Sequence, residues 1–167
     1  MDSVALNKVF HDHECSYYDE RFGIVHDESS AAAAESEVTT LLGRALRPGE
    51  IVLDVGCGTG WFAAGLQRAR PDLTVLGLDL SAGMLSKARA AGAGDLVQGD
   101  GTGLPFADAT IDVVVGRGVL HHLPDPLAAR LDAETPELAA LRAANVTLER
   151  QLVQAKAKTE ALVEAVE

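Results

Sequence analysis

Cysteine is scarce in this chain of 167 residues: Cys15 and Cys57 are the whole supply. Two thiols without framework spacing exclude a disulfide-stapled scaffold and fit a reduced cytosolic setting better than a secreted one. No apolar run approaches the ~20 residues needed to span a bilayer. The opening residues, MDSVALNKVFHDHE, lack the basic start and apolar run of a signal peptide. A soluble cytoplasmic protein without a membrane partner is therefore expected. Aromatics make up 4% of the residues against 47% hydrophobic, so the core has to be built from Ala, Val and Leu. Positive charge is thin as well. The formal net charge is −11, and residues 1–37 set nine acidic side chains against Lys8 and Arg21. Such a field repels phosphate backbones and anionic lipid, which disfavours nucleic acid as a partner. His11, His13 and Cys15 alternate, but no second ligand pair with zinc-like spacing accompanies them, so no metal is expected.

The length allows one ordinary domain with a helical appendage, and composition divides the chain into three regions. Residues 1–47 form an acidic segment that becomes rich in alanine. Within it, Ser29 through Leu46 reads as a helix capped by Ser29 or Ser30 and stopped at Arg47-Pro48-Gly49. Residues 48–131 alternate short apolar runs (51–55, 74–79, 95–100 and 111–116) with helix-forming stretches at Trp61–Arg70 and Ser81–Ala91. Strands this apolar suit burial in a parallel sheet, and the βαβ rhythm predicts an α/β fold. Ser81, directly after the second run, is placed to cap the helix that follows. Residues 132–167 contain no glycine, and Leu138, Leu141, Asn145, Leu148, Leu152, Ala155, Thr159, Leu162 and Val166 step by three and four without a break. That seam predicts a coiled-coil-like helix about 48 Å long. Asn145 at an a-type position predicts a parallel homodimer, or a partner chain, held through residues 136–167; analytical ultracentrifugation reads this directly.

The most informative stretch is VLDVGCGTG, residues 52–60, in which an apolar strand runs into Gly56, Gly58 and Gly60 before a helix. Glycines there permit positive φ and close approach of a ligand, and the N–H groups of the helix start point toward it. The dinucleotide fingerprint needs a further glycine at position 61, which holds Trp61. The phosphate-loop signature fails too, because no Gly-Lys-Ser/Thr follows.

These residues resemble the class I, Rossmann-like methyltransferases that bind S-adenosylmethionine. The likeness covers roughly residues 17–127 and rests on ordered landmarks: VLDVGCGTG, LGLDLSAGMLSKARA (76–90), QGDGTGLPFADATIDVVV (98–115) and VLHHLPDP (119–126), with Tyr18-Asp-Glu-Arg-Phe22 resembling the entry segment. The resemblance implies a partial doubly wound parallel sheet of about four strands in the order 3-2-1-4, with an N-terminal helical segment and the long C-terminal helix. It implies S-adenosylmethionine as cofactor, with Gly56, Gly58 and Gly60 against its methionine part. Asp54 would orient the loop and attract the amino group, directly or through water. Asp79 would accept the ribose hydroxyls, as suits an acceptor-only carboxylate, and Leu80 and Met84 would sandwich the adenine. Asp100 would take the adenine amino group, Gly101 would add backbone polarity beside it, and Gly116 and Arg117 would border the methionine end. Tyr17, Tyr18, His121 and His122 are the candidates for lining the acceptor pocket; Tyr18, His121 and His122 are the candidate catalytic residues. Methyl transfer is an SN2 displacement that needs alignment and exclusion of water more than a dedicated base. A small-molecule acceptor is expected.

The chain departs from that pattern after residue 126. No Pro-Gly turn, fifth strand or final hairpin is legible, and the heptad segment stands in their place. Three readings follow: a methyltransferase completed by self-association or a partner; a degenerate cofactor-binding half-domain serving as a coiled-coil assembly module; or a gene fragment or N-terminal piece of a larger enzyme. A fourth strand without its neighbour would be an edge with exposed valines.

Overall fold

The computed structural model describes residues 3–119. His121, His122 and the heptad segment lie outside the described residues. Three helices come first: α1 (Ser3–Glu14), α2 (Tyr18–Phe22) and α3 (Glu28–Leu42). The alternating part follows as β1 (Ile51–Val55), α4 (Trp61–Ala69), β2 (Thr74–Asp79), α5 (Ala82–Ala90), β3 (Asp95–Gln98) and β4 (Val113–Val115).

The four strands pair in parallel in the order β3-β2-β1-β4, as the resemblance implies. In β1 alternate side chains serve opposite faces. Val52 joins a cluster with Val38 of α3, Phe62 and Leu66 of α4, Val75, and Val113 and Val115 of β4. Leu53 and Val55 join Leu78 on the other face, where Leu104, Phe106 and Ile111 of the β3–β4 connection cover them. Leu53, Leu66, Leu78 and Met84 are fully buried, and each contributes about 1.5–3 kcal/mol by leaving water. Val114 of β4, in register with Leu53, is exposed; among the described residues β4 pairs with β1 alone.

The bounds of the third helix and of the last two strands differ from the sequence expectation. The third helix is capped by Asp27 instead of Ser29 or Ser30. The Asp27 carboxylate accepts from the Ser30 N–H while the Ser30 hydroxyl accepts from the Asp27 N–H, a reciprocal capping box. The helix also stops early, at Gly43, whose left-handed φ of 64° ends it before Arg47-Pro48-Gly49 is reached. The third and fourth strands are shorter than 95–100 and 111–116, ending at Gln98 and spanning Val113–Val115. Ser81 caps α5 as expected, accepting from the Met84 N–H at 3.1 Å.

Candidate functional site

The site forms where β1 and β2 end side by side. The N–H groups of Gly56 and Cys57 both donate to the Leu78 carbonyl, at 2.8 and 3.0 Å, which folds the glycine loop over the tip of β2. Gly56, Gly58 and Gly60 have φ of 71°, 54° and 84°. A Cβ on Gly58 would meet nothing within 4 Å, because that position faces open space. The Gly58 N–H donates to Asp79 Oδ2 at 2.9 Å, and the Ser81 N–H donates to Asp79 Oδ1 at 2.8 Å. Each carboxylate oxygen is thus held by one backbone donor and keeps acceptor capacity.

One crevice gathers Gly56, Gly58, Asp79, Leu80, Met84, Asp100, Gly101 and Arg117, with Tyr18 at its wall. Asp100 is steadied by the Thr102 N–H at 2.9 Å. Most of these residues come from the ends of the four strands and the loops that follow. That is where open α/β sheets bind ligands. Leu80 and Met84 supply apolar surface beside the two carboxylates.

Four of the expected site residues do not line the crevice. Gly60 packs instead: its Cβ would fall 2.7 Å from Ala88 Cβ, so the absent side chain lets α4 start against α5. Asp54 is 2% exposed, buried beneath the loop, with the Ala63 N–H in the first turn of α4 among the groups that act on its carboxyl. Gly56 makes room for Val119, whose Cγ2 an added Cβ would overlap. Gly116 is exposed and does not line the crevice either, and Tyr17 is an exposed residue outside it.

The first helix was missed entirely. Val4, Asn7 and His11 of α1 line the crevice, and their spacing of three and four is the helical signal that the acidic composition masked. Asp19 of α2 also serves the loop, accepting from the buried Thr59 hydroxyl at 2.5 Å. This ties the YDERF segment to the glycine bend.

A family model described as a methyltransferase domain matches residues 53–135. The chain belongs to the class I S-adenosylmethionine-dependent methyltransferases. It is 47% identical over 68 residues to a malonyl-[acyl-carrier protein] O-methyltransferase of Erwinia billingiae, covering 40% of this chain and 26% of that one. It is 44% identical over 89 residues to a trans-aconitate 2-methyltransferase of Deinococcus radiodurans, covering 51% and 33%. A magnesium protoporphyrin IX methyltransferase of Synechocystis, solved with bound S-adenosylmethionine, shares the fold at a TM-score of 0.53 and 22% identity, over 77% of this chain and 67% of that one. The chain spans well under half the length of the curated relatives it matches.

The cofactor of this methyltransferase family is S-adenosylmethionine, and the residues present suit it. The crevice sets open space over Gly58, an acceptor-only carboxylate at Asp79, a second at Asp100 and apolar Leu80 and Met84 side by side. These match a ligand with a diol, an amino-substituted ring and a positive sulfur.

The electrostatics separate structural groups from those able to meet a ligand. Burial pushes the Asp54 carboxyl up to about 8, with Arg117 opposing and Asp79 adding to the rise. Burial also raises the Cys57 thiol, with Asp54 and Asp79 adding to the effect, so this loop cysteine stays protonated and packs. Burial, with Glu14 and Asp79 nearby, raises the Tyr18 phenol. At neutral pH it is a hydrogen-bond donor and a poor base. Arg117 is fixed from two sides, its guanidinium 4.4 Å from the Trp61 ring centre and its Nε 2.9 Å from Glu37. Among the described residues no cluster of His, Cys, Asp and Glu could hold a metal ion.

Proposed function

We propose that the chain binds S-adenosylmethionine in this crevice and transfers its methyl group to a small-molecule acceptor. The observation that carries the reading is the Asp79 carboxylate, pinned between the Gly58 and Ser81 N–H groups and sharing one crevice with Asp100. Asp79 would hold the ribose hydroxyls, Leu80 and Met84 the adenine faces, and Asp100 with Gly101 the adenine amino edge. The Gly56–Gly58 backbone would hold the methionine part, bordered by Arg117. When bound, the cofactor supplies a methyl group already activated by positive sulfur, which departs with the bonding pair. The protein's own work is then positioning and exclusion of water.

Tyr18 fits that work as a protonated phenol at the crevice wall, donating a hydrogen bond and accepting no proton. His121 and His122 are proposed as further lining groups. A small acceptor is supported by the named substrate of the trans-aconitate methyltransferase relative and by the net charge of −11, which repels nucleic-acid phosphate backbones. Association through residues 136–167 is proposed to complete the acceptor side.

Calorimetric titration with S-adenosylhomocysteine, on the wild type and Asp79→Ala, tests the reading. The substitution removes a charge-assisted acceptor, and affinity is expected to fall at least about tenfold. Equal affinities would remove Asp79 from the site.

A further inference from the structure

The helix α1 contributes Val4, Asn7 and His11 to the crevice wall, yet it precedes the glycine loop by some forty residues and belongs to no strand–helix unit of the sheet. Something must hold it there. Asp12 Oδ1 accepts both from the Ser81 hydroxyl, at 2.6 Å, and from the Gly83 N–H, at 3.2 Å, while Oδ2 accepts from Lys8 Nζ at 2.6 Å. Ser81 in turn bonds to both residues that define the nucleoside end: its N–H donates to Asp79 and its hydroxyl accepts from the Met84 N–H. The approach is close because Gly83 has no side chain. A Cβ there would lie 2.6 Å from Cys15 Sγ and 3.3 Å from the Asp12 carbonyl oxygen. The same C-terminal end of α1 is also held two residues on, by buried Glu14 paired with Arg21.

We propose that α1 is the closing wall of the nucleoside crevice and that Asp12 is a positioning residue latching this wall to the start of α5. The inference rests on the crevice being the cofactor site. A wall that must swing aside for an adenosyl ligand to leave slows its release, and it does not speed its arrival. Asp12 touches no ligand; it acts through Ser81 and the seating of Asn7 and His11.

The test is the release rate of S-adenosylhomocysteine by stopped flow, with maleimide alkylation of Cys15 as the readout of α1 docking; Cys57 is buried. Four chains are compared: wild type, Asp12→Ala, Asp12→Asn and Gly83→Val. Asp12→Ala loses both bonds to α5, and Gly83→Val wedges the helices apart. Both are expected to release ligand about tenfold faster, the equivalent of one net charge-assisted hydrogen bond, with association no slower and Cys15 alkylated sooner. Asp12→Asn keeps an oxygen acceptor, now uncharged, for Ser81 and Gly83 and loses the Lys8 pair. It is expected within about threefold of the wild type, the scale of an exposed ion pair.

Faster alkylation with unchanged release would show that α1 undocks without guarding the crevice, and would overturn the wall. Unchanged alkylation and release in both Asp12→Ala and Gly83→Val would overturn the latch. Slower association with unchanged release would mark a merely structural role and overturn the proposal as well. A wild type that does not bind S-adenosylhomocysteine would instead overturn the cofactor site itself.

Discussion

Replacing Asp54 by Asn converts a buried, titrating carboxyl into a neutral group of nearly the same shape. Asp54 is 2% exposed and its carboxyl titrates near 8, chiefly through burial, with Arg117 opposing and Asp79 and Glu37 adding to the rise. In the unfolded chain the same group titrates near about 4. Folding therefore takes up a proton at any pH between those values. The stability that the protonated group carries is complete below about 4 and is lost as pH rises through about 8. The slope is at most about 1.4 kcal/mol per pH unit. The chain's isoelectric point of 4.8 makes the acid end of this window a poor place to work. Urea unfolding from about pH 5.8 to about 7.8 covers two units, with an upper bound of about 3 kcal/mol. Relaxation and water penetration around the charge reduce this, so about 1–2 kcal/mol is expected. The stability of Asp54→Asn should gain that much on the wild type as pH rises, since the remaining titrating groups are common to both chains. Parallel pH profiles for the two proteins would refute the buried, proton-retaining carboxyl.

The two glycines that look alike in sequence should part company on mutation. Gly60→Ala drives a Cβ to 2.7 Å from Ala88 Cβ at a φ of 84°, costing about 2–4 kcal/mol from strain and overpacking together. A fall in Tm of several degrees reads it. Gly58→Ala meets no atom within 4 Å, so its cost is the backbone strain alone, about 1–2 kcal/mol. Its methyl group enters the crevice, and S-adenosylhomocysteine affinity is expected to fall at least about tenfold.

How far the sequence could be read depended on how local each cause is. The parallel strands were legible because IVLDV and TVLGLD are apolar on both faces, and Ser81 because its cap reaches only three residues ahead to Met84. Asp27 was missed as a cap because Ser29 and Ser30 compete for the same role, and the reciprocal bond that decides between them is a matter of geometry. The early stop at Gly43 hid behind the stronger-looking Pro48-Gly49. Motif spacing marks Gly60 and Asp54 as required without saying for what; the close approach of Gly60 to Ala88 and the burial of Asp54 are matters of packing that the motif does not report. The α1 wall was the least legible, since the Asp12–Ser81 bond joins residues 69 apart in the chain. No periodicity reports such a contact.

Amide mapping of an isotopically labelled chain titrated with S-adenosylhomocysteine bears most directly on the cofactor crevice. Gly58 and Ser81, whose N–H groups hold the Asp79 carboxylate, should shift together with Leu80, Asp100 and Gly101 and saturate along one binding curve. Saturable shifts confined to another face of the sheet, or a flat titration, would contradict the account.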